Sequence, residues 1–186
     1  MKKFFLFLSL IFLLGGGYWY FRYYKNAFFF LSKCKDCVVI ASSKKDPKNT
    51  SYSIDQKYVT LINGFASVAN SGELVVPIKT TYFGNEAQGD LNQDGVPDTA
   101  LLLTQDGGGS GTFYYIVVAL RAGDVYVGTN GLLLGDRIAP QTTEIKDGKI
   151  IVNYAERKEG EPMTTAPSVG VSKYFEVNNG MLVSVQ

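Results

Sequence analysis

The run Thr112-Phe113-Tyr114-Tyr115-Ile116-Val117-Val118-Ala119-Leu120 decides the fold. Its β-branched and aromatic side chains suit an extended, pleated backbone. Successive side chains of a strand point to opposite faces, and here both faces are apolar. The run therefore predicts a central strand rather than one with a wet face. Thr99 to Thr104 is a second apolar run just upstream. Gln105-Asp106-Gly107-Gly108-Gly109-Ser110-Gly111 lies between them and reads either as a hairpin connection or as a ligand-binding loop. It is not a nucleophile elbow, because Thr112 stands where the second glycine must be. It is not a phosphate-binding loop, because no Gly-Lys-Ser/Thr follows.

Further out the texture is short strands and turns. Lys57 to Ile62 alternates and stops at Asn63-Gly64, and Val75 to Phe83 is the next candidate. Asp124 to Gly128 and Leu132 to Leu134 are short extended segments. Gln141 to Ile145 and Lys149 to Tyr154 flank Asp147-Gly148, while Lys173 to Val177 and Met181 to Val185 flank Asn179-Gly180. Asp-Gly and Asn-Gly between apolar segments are strong hairpin signals. No segment beyond residue 50 sustains a helical period. The expected fold class is all-β, an antiparallel sandwich or open barrel of about eight strands, with an N-terminal transmembrane helix. A sheet with one or two short helices is the alternative.

The domain plan follows from composition. Residues 1–25 form a membrane anchor, residues 26–50 a basic stalk or linker, and residues 51–186 a β-rich extracytoplasmic domain. Lys2 and Lys3 precede an uncharged stretch from Phe4 to Phe21, 18 residues long. As a helix it would measure about 27 Å, close to the roughly 30 Å of a bilayer core. Tyr18, Trp19 and Tyr20 close that stretch and Tyr23 and Tyr24 follow it, mixed with Arg22 and Lys25, as suits a membrane interface. A cleavable signal is the competing reading, but Gly15-Gly16-Gly17 leads into bulky aromatics and not into a small-x-small site. Residues 1–48 carry nine Lys/Arg against two Asp; residues 49–186 carry nine against fifteen Asp/Glu. A basic leader beside an acidic domain suits anionic headgroups and water respectively, and it argues against a nucleic-acid partner.

Cys34-Lys35-Asp36-Cys37 is a CxxC in the stalk. Zinc would need two further thiolate or imidazole ligands, and the chain has two Cys and no His. A local disulfide or two free thiols is the simpler reading. The absence of histidine also excludes Ser-His-Asp and Cys-His catalysis and HExxH zinc sites.

Asp90-Leu91-Asn92-Gln93-Asp94-Gly95-Val96-Pro97-Asp98 carries the chemistry. Oxygen-bearing side chains fall at loop positions 1, 3, 5 and 9, with glycine at 6 and a main-chain carbonyl available from Val96 at 7. That is the start of a calcium loop, and hard oxygen donors suit Ca²⁺ over softer metals. The expected ligands are Asp90, Asn92, Asp94, Val96 and Asp98. An EF-hand would place a bidentate Glu at position 12, where Leu101 stands instead. The loop resembles the β-type calcium loops of FG-GAP and related extracellular repeats, which run straight into a strand. An Asx-rich turn that binds no ion is the alternative. Affinity of about 10⁻⁴–10⁻³ M is expected, the range of extracellular modules, and the ion should pin the loop between Tyr82-Phe83-Gly84 and the core strands. Such a site fills outside a cytosol, so the domain is expected to face the periplasm or cell exterior, although basic residues on both sides of the anchor leave the positive-inside rule undecided.

Several stretches read together as a set: Tyr82 to Glu86, Asp90 to Asp98, Leu102 to Tyr114, Leu134 to Ile138 and Gly160-Glu161-Pro162-Met163. Together they resemble a family of bacterial envelope proteins with a signal or lipid anchor followed by one such domain. Some members are fused to META-type domains or to domains like the C-type lysozyme inhibitors. The resemblance implies an exported location and brings no activity. Some relatives carry paired Cys after the Pro-Met, where this chain has Thr164-Thr165. Asp136-Arg137 reads as an internal ion pair and Glu156 to Glu161 as a solvated turn. The functional expectation is a non-enzymatic, single-pass membrane module stabilised by one calcium ion, with an unknown envelope component or protein as partner. An inhibitor of an envelope-attacking enzyme such as lysozyme is one alternative, and a carboxylate-based hydrolase is another.

Overall fold

The computed structural model describes residues 46–69 and 76–185. The expected anchor of residues 1–25, stalk residues 26–45 with Cys34 and Cys37, and Val75 at the head of one expected strand lie outside the described residues.

Apolar residues on both faces of the deciding run have a structural counterpart in two cores. That run is strand β6 (Phe113–Ala122), paired along one edge with β5 (Asp98–Asp106). Ile116, Val118 and Leu120 of β6, with Ala100 and Leu102 of β5, enter one core. Tyr115, Val117 and Ala119, with Leu101 and Leu103, enter another on the opposite face. Six consecutive residues of β6, Tyr115 to Leu120, are buried, as are Asp98 to Leu103 of β5. A strand covered on both faces reads as a continuous apolar run for this reason.

The middle sheet runs β3 (Phe65–Val68), β4 (Ile78–Gly89), β5, β6 and β7 (Val125–Gly128), and β8 (Leu132–Asp136) also pairs with β6. β7 and β8 share one edge of β6, opposite Ala119–Ala122 and Phe113–Ile116 respectively. A second sheet, β9 (Ala139–Lys146), β10 (Lys149–Glu156), β11 (Val169–Asn178) and β12 (Met181–Val185), covers one face as a meander. Its inward residues Ile150, Val152, Tyr154, Phe175 and Leu182 complete the first core. The hairpin β1 (Ser51–Ile54) and β2 (Lys57–Thr60) lies over the other face, where Tyr52, Ile54, Val59 and Leu61 complete the second. All three sheets are antiparallel.

The described residues thus hold twelve strands where about eight were expected, and a single 3₁₀ turn, Pro47–Asn49, as the only helical element. β1 and β3 are the strands missed outright. The fold also begins before residue 51. Asn49 and Thr50 are buried, the Tyr52 hydroxyl donates to the Pro47 carbonyl (2.8 Å), and the Leu61 amide donates to the Thr50 carbonyl (3.0 Å). β4 runs on past Phe83 because Gly84 (φ 115°) and Asn85 (φ 49°) form an irregularity in the ladder to β5 and do not end it. Such a bulge bends its strand. The far half of β4 reaches β9, where Asn85 Nδ2 donates to the Gln141 carbonyl (3.3 Å) and Gly89 packs on Ile145.

Thr129-Asn130-Gly131 joins all three sheets. The Thr129 amide donates to the Val118 carbonyl, and Thr129 Oγ1 accepts from the Val118 amide (3.0 Å). Ser53 donates to the Thr129 carbonyl and accepts from the Gly131 amide. The Asn130 side chain pairs with both main-chain groups of Leu182 in β12, at 2.8 and 3.0 Å.

Candidate metal centre

Asp90–Pro97 is the turn between β4 and β5, and β5 starts at Asp98 itself. The loop therefore runs directly into a strand, and Leu101 is wholly buried within that strand. Gly95 takes φ 84° and Gln93 φ 61°, left-handed values that fold the chain tightly back. Each acidic side chain turns in toward the loop's own amides. Asp90 accepts from the amides of Asp94 (3.1 Å) and Gly95 (2.9 Å). Asn92 Oδ1 accepts from the same Asp94 amide (3.0 Å), and Asn92 Nδ2 donates to Asp94 Oδ2 (3.0 Å). Asp94 Oδ1 accepts from the Val96 amide (2.8 Å). The oxygens of Asp90 and Asn92 thus converge on one N–H group.

Asp98 is arranged differently. It is fully buried, with Oδ2 accepting from the Leu91 amide (3.0 Å) and Oδ1 from the Arg121 amide of β6 (2.8 Å). Burial pushes its pKa up; the two amide hydrogen bonds oppose that, and the charges of Asp94 and Asp90 add to it. The carboxylate fastens the loop to β6.

As a metal centre, the set fits in part. Asp90 and Asp94 are exposed and Asn92 is half-buried, so their hard oxygen donors border solvent. Asp98 spends both oxygens on amides. Among the described residues, no three His, Cys, Asp or Glu side chains are gathered as a metal cluster. The expected place of the loop beside Tyr82-Phe83-Gly84 is also corrected. Gly89 faces Asp98 at the loop end of the hairpin, whereas Tyr82 faces Leu103 further along it.

Asp136 and Arg137 form the expected ion pair, Arg137 Nη2 lying 2.8 Å from Asp136 Oδ2. The guanidinium hydrogen bond holds the Asp136 carboxyl below its usual range. Asp136 also accepts from the Thr112 amide (2.9 Å), closing the glycine-rich connection between β5 and β6. Arg157, expected in a solvated turn, instead donates to the carbonyls of Thr165, Arg137 and Asp136 and ties the β10–β11 connection to the end of β8.

One surface was not expected. Tyr58, Ile62, Phe65 and Val68 are 55%, 69%, 47% and 39% exposed, and they line an open groove of about 510 Å³ between β2 and β3. The available signal was Ile62-Asn63-Gly64-Phe65, a turn flanked by large apolar residues where polar ones are usual. Among the described residues no helix is long and apolar enough to cross a membrane. No family model, curated protein or solved structure matches the chain.

Proposed function

We propose that this chain is a non-catalytic binding or structural module, tethered to a membrane by its N-terminal segment with the β domain facing the periplasm or cell exterior, and that its β4–β5 loop takes one calcium ion. The observation that carries the calcium reading is the gathering of three loop side chains: Asp90 Oδ1 and Asn92 Oδ1 accept from one amide, and Asn92 Nδ2 donates to Asp94 Oδ2 at 3.0 Å. Positions 1 and 3 are thereby brought together, with position 5 beside position 3. The neighbouring carboxylates that raise the Asp98 pKa supply the negative field a divalent cation would neutralise. Asp90, Asn92, Asp94 and the Val96 carbonyl would hold the ion, with water filling the remaining positions. Asp98 would brace the loop against β6. Tethering is supported by the apolar, uncharged stretch from Phe4 to Phe21 and its aromatic-basic flank.

Residues 44–186 should melt at higher temperature in calcium. At about 5 mM Ca²⁺ and a dissociation constant of about 10⁻⁴–10⁻³ M, the expected stabilisation is about 1–2 kcal/mol, or roughly 3–7 °C. Asp94→Ala should abolish it, and magnesium should not reproduce it. An unchanged midpoint would leave the loop as a turn alone. Protease added to spheroplasts, whose cytoplasmic membrane is intact, should remove the domain from the full chain; protection would reverse the orientation.

A further inference from the structure

We infer that the apolar groove between β2 and β3 is the face by which the domain sits on the bilayer surface, with Ile62 and Phe65 entering the lipid interface. This rests on the tethered reading above and gives it an orientation. Single exposed apolar residues are ordinary, whereas exposed apolar residues gathered along one groove are a feature of docking surfaces. Ile62, Phe65 and Val68 line one groove together with Thr60 and Ser67.

The occupant follows from where the chain enters the domain. Residues 46–50 are hydrogen-bonded along the turn that carries the patch. The Gly64 amide donates to the Lys48 carbonyl (2.8 Å), the Asn63 amide to Asn49 Oδ1 (2.9 Å), and the Leu61 amide to the Thr50 carbonyl. Residues 46–50 thus lie beside the turn that carries Ile62 and Phe65. Only residues 22–45 separate them from the apolar stretch that ends at Phe21. So short a tether holds the domain at an effective concentration of about millimolar near the membrane, so weak surface affinity suffices.

No charged residue is among the described residues that line the groove. Attraction to anionic lipid is therefore not the main force, and docking should persist on zwitterionic membranes. The Asp90–Asp98 loop lies at the other end of the β4–β5 hairpin from Lys79, which faces Asp106. Seating the β2–β3 groove on lipid leaves that acidic loop at the end remote from the patch.

The test uses the full chain with Cys34→Ser and Cys37→Ser, reconstituted in phosphatidylcholine vesicles. A bimane reporter is placed at Ser67→Cys in the groove or at Asp147→Cys in the β9–β10 turn, and acyl-chain nitroxide lipids serve as quencher. The groove reporter should be quenched at least twofold more strongly than the turn reporter. Adding Ile62→Ser and Phe65→Ser should abolish that difference while the chain still floats with the vesicles. Flotation with equal quenching at both sites would overturn the docking face and leave the tether standing, including where cross-linking shows that a second copy occupies the groove. Failure to float would overturn both. Both changed side chains are exposed, so unaltered circular dichroism is expected and checks the fold.

Discussion

Removing the Asp98 carboxylate should loosen the β4–β5 turn from β6 whether or not a metal is bound. Asp98→Ala deletes two hydrogen bonds to an ionised acceptor, each contributing about 1.5–3 kcal/mol, and strands the buried Leu91 amide and the partly buried Arg121 amide. Relief of a buried charge, shown by the upward displacement of the carboxyl pKa, offsets part of that loss. The net destabilisation should be about 3 kcal/mol, near 10 °C in midpoint for a domain of this size. Asp98→Asn keeps one acceptor oxygen but turns an NH₂ toward a backbone N–H, and should cost about 2 kcal/mol. Asp94→Ala, on the exposed side of the loop, should cost less than about 1 kcal/mol in the same buffer. The assay is urea unfolding of residues 44–186 in EDTA, followed by circular dichroism. Asp98→Ala within about 0.5 kcal/mol of the parent would refute the idea that this carboxylate fastens the loop.

Three further outcomes follow from described contacts. Asn130→Ala should lower stability by about 2 kcal/mol, because both main-chain groups of Leu182 lose their partner; urea unfolding reads it. Gly128→Ala places a Cβ only 2.2 Å from the Ser51 carbonyl oxygen, so β1 must shift, and a loss of about 3 kcal/mol or poor expression is expected on thermal melting. Asp136→Asn should be pH-dependent. The Asp136 carboxyl is held below its usual range, so its contribution is full above the unfolded value and fades as pH falls through the folded one. The deficit, about 0.5–1 kcal/mol near pH 7, should shrink as pH falls below the ordinary range of an aspartate, as paired melts would show.

The central hairpin and the two tight turns were legible because their signals are local. Asp147-Gly148 and Asn179-Gly180 adopt positive φ at both residues, as the expected hairpins require. β1 and β3 were not legible, being four residues each and taking their place from Leu101, Leu103 and Val117 beneath them. The expected strands stop at Phe83 and start at Gln141, just short of Gly84-Asn85 and just past Pro140. The first is a bulge, and the second lies beside a register shift on an edge strand, where a missing N–H is tolerated. The spacing of Asp90, Asn92, Asp94 and Asp98 gave the loop and its turn. It gave no hint that Asp98 would face inward, since its partner Arg121 lies 23 residues on in another strand.

The two-sided apolarity of β5 and β6 has a consequence for strand slippage. When one face of a sheet is wet, sliding a strand by one residue throws its apolar set into water, and this error is strongly penalised. Here a one-step slide of β5 would exchange Leu101 and Leu103 for Ala100 and Leu102, leaving apolar side chains in both cores. Hydrophobicity alone then discriminates poorly between correct and slipped alignments. The discrimination falls to a polar group that fits only one alignment, the Asp98 carboxylate at the start of β5 on the Arg121 amide of β6. In this hairpin leucines and valines provide the cohesion, while one aspartate decides which residues face each other.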